Sequence, residues 1–123
     1  MSKPDEVKEI LAKLASIRAK LDKFIPVQAM IHGDYMRTYM RVCMYHRRKH
    51  EHILTDANGK TFAERRALML ERAMADRKAD PAFIAAREEY LRKKAIIRAK
   101  RQPLEHEVRR LQIKLRLLRK EGW

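Results

Sequence analysis

The chain has 123 residues, with 30 Lys and Arg against 16 Asp and Glu, a formal charge of +14 with His neutral, and a hydrophobic share of 46%. That length suits one domain, that share of apolar residues excludes disorder throughout, and scarce Gly and Pro (3 and 4 residues) with few β-branched residues argue against strands. The expectation is an all-α chain, 1–123 as one helical domain: an elongated helical hairpin or small bundle with coiled-coil segments at both chain ends.

The first helix is expected over 1–25. Pro4 suits a first helical turn, and Asp5 and Glu6 suit the positive end of the helix dipole. Val7, Ile10, Leu14, Ile17, Leu21 and Phe24 then recur at alternating spacings of three and four, a heptad seam that Leu11 widens. Pro26 ends or kinks this helix.

The second helix is expected to start at Val27 or at Asp34, with His32-Gly33-Asp34 a weak spot, and to reach Leu54. Tyr35, Tyr39, Val42, His46, His50 and Ile53 form one stripe, with Met36, Met40, Cys43 and Met44 beside it, so this helix belongs between others in a core. A turn with Asn58-Gly59 at its tip follows. Thr61 and Glu64 form a capping box that opens a third helix, 61–79.

Asp80-Pro81 reads as the cap and first residue of a fourth helix, 81–122. Phe83, Tyr90, Ile97, Leu104, Leu111 and Leu118 fall seven apart, and Pro103 inside the run predicts a kink or brief break. Leu104, Val108, Leu111, Leu115 and Leu118 make a second seam, and the simplest way to cover both is to pair the first helix antiparallel with the tail of the fourth. Pairing the same seams between chains serves equally well, so self-association through them is an expected partnership.

The positive charge is concentrated. Residues 81–101 carry seven Lys and Arg against Glu88 and Glu89, and Arg87, Lys94 and Arg101 replace the apolar residues that would pair with Phe83, Tyr90 and Ile97. Arg87, Tyr90, Lys94, Arg98 and Arg101 thus form a first candidate strip, cations tracking phosphates while the tyrosine stacks on a base, which is how single strands are held without sequence preference. A solvated helix face beside a core aromatic is the plain alternative. Arg41, Arg47, Arg48 and Lys49 form a second strip; the plain alternative is cations favoured at a helix C-terminus.

Catalytic chemistry has little to stand on. Cys43, His46 and His50 share a helix face at metal-ligand spacing, but a zinc site needs a fourth ligand and no second cysteine exists, so no metal or other cofactor is expected. Cys43 lacks the oxyanion site and orienting group of a nucleophile, no Gly-rich phosphate loop is present, and the chain reads as a non-enzyme. One cysteine also rules out an intrachain disulfide. The N-terminus has no signal-peptide core and no apolar run nears the ~20 residues of a membrane span, so a cytoplasmic protein without a membrane partner is expected.

The junction Asn58-Gly59-Lys60-Thr61-Phe62-Ala63-Glu64-Arg65-Arg66 and the Ala/Arg/Glu-rich stretch from Phe83 to Leu118 resemble small helical accessory proteins of phage recombination and replication modules, including recombination mediators. The likeness is one of architecture and composition over about two-thirds of the chain, without a diagnostic motif. It implies a class only: an oligomeric helical factor that binds single-stranded DNA. A basic coiled-coil adaptor or inhibitor docking on an acidic protein surface is the alternative.

Overall fold

The computed structural model describes residues 2–56 and 59–121, which are helical over almost their whole length and contain no strand. The protein is all-α. Helix α1, Lys3–Asp22, starts as its sequence dictates: Ser2 Oγ accepts from Asp5 N at 3.4 Å, and Pro4 lies in the first turn. It stops at Asp22 because Pro26 has no N–H to give the Asp22 carbonyl. Lys23 keeps right-handed helical dihedrals (φ −64°, ψ −21°), and α2, Phe24–Lys49, takes Pro26 into its first turn, where a missing donor costs nothing.

The expected start at Val27 or Asp34 is therefore corrected, since α2 begins at Phe24 and runs unbroken through Gly33 and Asp34. A Cβ at Gly33 would meet nothing within 4 Å, so no steric demand places a glycine there. One helical Gly costs about 1 kcal/mol, less than ending and recapping two helices. Asp34 pairs with Arg37 one turn on instead of capping.

The helix expected to reach Leu54 is split. After Lys49 the chain tightens into a 3₁₀ segment, Glu51–Thr55, with Ile53 N donating to His50 O at 3.1 Å and Asp56 N to Ile53 O at 3.3 Å. Ala57 and Asn58, at the tip of the expected turn, lie outside the described residues; Gly59 follows at φ +80°, the left-handed region that suits glycine. Thr61 then caps α3, Phe62–Ala79, its Oγ1 accepting from Glu64 N at 3.2 Å. Asp80 Oδ1 accepts from Ala82 N at 2.9 Å and opens α4, Pro81–Lys120. Helical backbone continues through Pro103, so no break occurs there. Its neighbours hold the turn: Leu104 packs against the apolar core and Arg101 pairs with Glu105 four residues on.

The chain divides into two compact units, residues 1–30 with 93–123, and residues 31–92. In the first, the two seams meet within one chain. Ile10, Leu14 and Ile17 of α1 form one core with Leu111 and Leu115 of α4, flanked by Val7, Leu21, Leu104, Val108 and Leu118. An ion pair of 2.7 Å between Lys3 and Glu121 marks the antiparallel sense. In the second unit the buried residues are Val42, His46, Ile53, Met69, Ala73 and Phe83, and the 3₁₀ segment packs against α3.

Candidate nucleic-acid interface

The inward stripe of α2 determines which of its side chains remain for function. Tyr35 stacks on Tyr90 (centroids 4.6 Å apart, 23° between planes), and both Tyr35 and Tyr39 pack at an angle on Phe83. The Arg77 guanidinium lies over the Tyr39 and Phe83 rings, 5.0 and 5.6 Å from their centroids, and donates to Tyr39 OH and Cys43 Sγ. One turn on, His46 Nε2 and Asp80 Oδ2 are 2.7 Å apart; His50 Nε2 and Asp76 Oδ2 are also 2.7 Å apart. An ionised carboxylate only accepts, so each imidazole donates through Nε2. The His50 hydrogen bond, with Lys49 nearby, holds the Asp76 carboxyl below the ordinary carboxylate range. His46 does the same to Asp80, helped by the Ala82 amide.

These pairings use up the residues whose spacing resembled a metal site. His46 and His50 turn to different aspartates and Cys43 takes Arg77. Among the described residues, no group of three His, Cys, Asp or Glu side chains is placed to hold a metal ion.

The first strip is brought together only in part. Arg87 and Arg98 are exposed, and so is Lys94. Tyr90 is half-buried with its ring stacked on Tyr35 and beside His32, so it packs in the aromatic cluster of its unit, which takes up one face of the ring. Arg101 is turned inward, donating to Gln28 Oε1 at 3.1 Å and lying 3.0 Å from Glu105 Oε1. Its charge is met locally, which weakens the case for a phosphate there.

The second strip separates by face. Lys49 reaches Asp76 at 3.5 Å. Arg47 lines the groove between α2 and α3. Arg41 and Arg48 are exposed on α2, with no hydrogen bond or ion pair among the described residues, and Arg48 also borders a hollow with Arg47 and Glu51. Between them lies Tyr45, 63% exposed, its ring edge-on to His46 at 5.0 Å. At 3.6 residues per turn, Arg41, Tyr45 and Arg48 fall within about 60° of one another around the helix. An exposed ring between two unpaired guanidiniums is the arrangement expected at Tyr90. The 4-3 spacing of Arg41, Tyr45 and Arg48 was the signal that could have found it.

The other feature missed is in the first unit. Residues 1–30 and 93–123 contain seventeen Lys and Arg against seven Asp and Glu, so this unit carries +10 of the formal +14. Arg18 of α1 and Arg116 and Arg119 of α4 border one groove with Gln112, above Leu14 and Leu115. None of these three arginines has a hydrogen bond or ion pair among the described residues. Convergent, unpaired guanidiniums make an anion-binding surface.

No family model matches the chain, and neither the curated proteins nor the solved structures give a match. Among the described residues, no helix is long and apolar enough to cross a membrane.

Proposed function

We propose that this chain is a non-enzymatic nucleic-acid-binding protein, favouring single-stranded DNA, that acts as an oligomeric helical accessory factor in recombination or replication. The observation that carries the reading is Tyr45, exposed on α2 between Arg41 and Arg48, neither of which pairs with another described residue. Each unstacked base presents a π-face to such a ring while the guanidiniums meet the flanking phosphates, an arrangement available to single strands and denied to stacked duplex bases. The +10 of the first unit, with Arg18, Arg116 and Arg119 on one groove, supplies the long-range attraction and further phosphate contacts.

The apolar seams are buried within one chain, so the oligomer invoked here draws on other surfaces. Ile113 and Leu117, 54% and 57% exposed and four residues apart on α4, are the side chains that favour it. The deciding experiment is charge reversal: Arg41→Glu with Arg48→Glu weakens binding of a labelled single-stranded oligonucleotide by about tenfold or more, roughly 1.4 kcal/mol. The same change at Lys8 and Lys13, two exposed lysines of α1, has a much smaller effect. Equal losses in both variants would show a diffuse charge effect without a site.

A further inference from the structure

The groove between α2 and α3 has no place in a phosphate-binding surface. Its walls are apolar: Met40 and Met44 on α2 face Leu70 and Met74 on α3, with Ala73 buried at its floor. Met40, Met44 and Met74 are 52%, 46% and 47% exposed, which is costly for side chains of this kind unless something covers them. A second hollow shares Met44 and Arg47 with it and continues to Leu54 and Met69. Both walls repeat their apolar residues at a spacing of four, Met40 with Met44 and Leu70 with Met74. Two such rows form the holes into which a third helix sets residues at i, i+3 or i+4, and i+7.

The rim identifies the occupant's charge. Arg47 lines both hollows and pairs with no other described residue, Arg48 stands at one end, and Arg77 lies at the other with its charge retained over Tyr39 and Phe83. Glu51 is the acid on this rim. An occupant with carboxylates flanking an apolar stripe satisfies that rim, and a basic one is repelled by it. Methionine, unbranched and polarizable, lets such a groove repack around differing apolar side chains.

We propose that the α2–α3 groove is a docking site for an acidic amphipathic helix of a partner protein. The groove is distinct from the proposed nucleic-acid surface in its apolar walls: it uses Arg47 and the methionines, that reading uses Arg41 and Tyr45, and Arg48 borders both. The probe is a pair of labelled peptides of about 18 residues, ~27 Å when helical, with one leucine stripe and either Glu or Lys on the polar face. Fluorescence anisotropy is read with the full chain. The acidic peptide binds at least about tenfold more tightly than the basic one, and Arg47→Glu narrows or inverts that preference.

Met44→Glu with Met74→Glu weakens the acidic peptide by about tenfold or more, while single-stranded oligonucleotide binding stays within about twofold of the unmodified chain. Should circular dichroism show lost helix, Met44→Gln with Met74→Gln replaces that pair and gives the same ranking. Equal binding of the two peptides, no binding of the acidic one, or an acidic-peptide affinity indifferent to Met44 and Met74 overturns the proposal. So does oligonucleotide affinity falling in step with peptide affinity, which makes the groove part of the nucleic-acid surface. Sedimentation showing a dimer that Met44→Glu with Met74→Glu abolishes also overturns it, because the occupant is then a second copy of this chain.

Discussion

His46 of α2 donates through Nε2 to Asp80 Oδ2 at 2.7 Å, while the other oxygen of Asp80 accepts from Ala82 N and caps α4. One carboxylate thereby fixes where α4 starts and ties that start to the last turn of α2. The His50–Asp76 pair repeats the tie one turn later, between α3 and the residue that follows α2. These two contacts orient the face of α2 that carries Arg41, Tyr45 and Arg48.

This arrangement sets an acid limit on stability. Asp76 and Asp80 are held below their ordinary value of 3.8, each mainly by its histidine. A carboxylate with a depressed folded pKa contributes stability that is present above its unfolded pKa and is lost as pH falls through the folded one. Thermal melts should therefore show stability declining as pH falls below about 4, and Asp76→Asn with Asp80→Asn should flatten that decline. An acid limb of unchanged slope in the double variant contradicts the assignment.

Asp80 has two jobs, and substitutions separate them. Asp80→Ser keeps a capping oxygen and loses the reach to His46, whereas Asp80→Ala loses both. The expected order of melting temperature is unmodified chain, Asp80→Ser, then Asp80→Ala. If serine and alanine melt together, the cap contributes nothing.

The paired seams of the first unit make a separate stability prediction. Leu111 is 2% exposed in the core shared by α1 and α4, so Leu111→Ala should cost about 2–5 kcal/mol in urea unfolding. Ile113, two residues on and 54% exposed, should tolerate alanine within about 0.5 kcal/mol. Similar losses at both positions contradict the intrachain pairing of the seams.

Much of this was legible in the sequence. Thr61 and Asp80 cap the helices they were expected to cap, because a cap is a local signal decided within three residues. The heptads at the two chain ends locate the α1–α4 core, because a seam of that spacing is apolar on one face only. Pro26 was harder, since its effect falls four residues upstream, at Asp22. Gly33 read as a weak spot because propensity alone was counted, without the cost of two new helix ends.

The candidate site was less legible. Tyr90 and Tyr45 are equally aromatic, and both lie among cations in sequence. Periodicity put Tyr90 on a stripe with Phe83 and Ile97, yet what decided its role was Tyr35, fifty-five positions away and stacked against it. Arg47 and Arg48 are adjacent and both border the hollow that reaches Leu54 and Met69, but a helix sends neighbours about 100° apart, and Arg47 alone of the two also lines the groove beside Met40 and Met74.

Tyr45 carries a prediction of its own. Tyr45→Ala should weaken single-stranded oligonucleotide binding by about 5- to 150-fold, the equivalent of the 1–3 kcal/mol that one stacked base contributes, and Tyr45→Phe should retain most of it. Tyr90→Phe, which keeps the ring stacked on Tyr35, should leave binding unchanged. Loss at Tyr90→Phe without loss at Tyr45→Ala reverses the assignment of the two rings.

The most direct measurement is fluorescence anisotropy of labelled single-stranded and double-stranded oligonucleotides across a salt series. Tighter binding of the single strand is expected at every salt concentration, with log affinity falling linearly against log salt by about 0.7 for each phosphate contacted. In the Arg41→Glu, Arg48→Glu variant that slope should lessen by about 1.4, the loss of two contacts. Equal affinity for single and double strands, or no binding even at low salt, would contradict the single-strand reading.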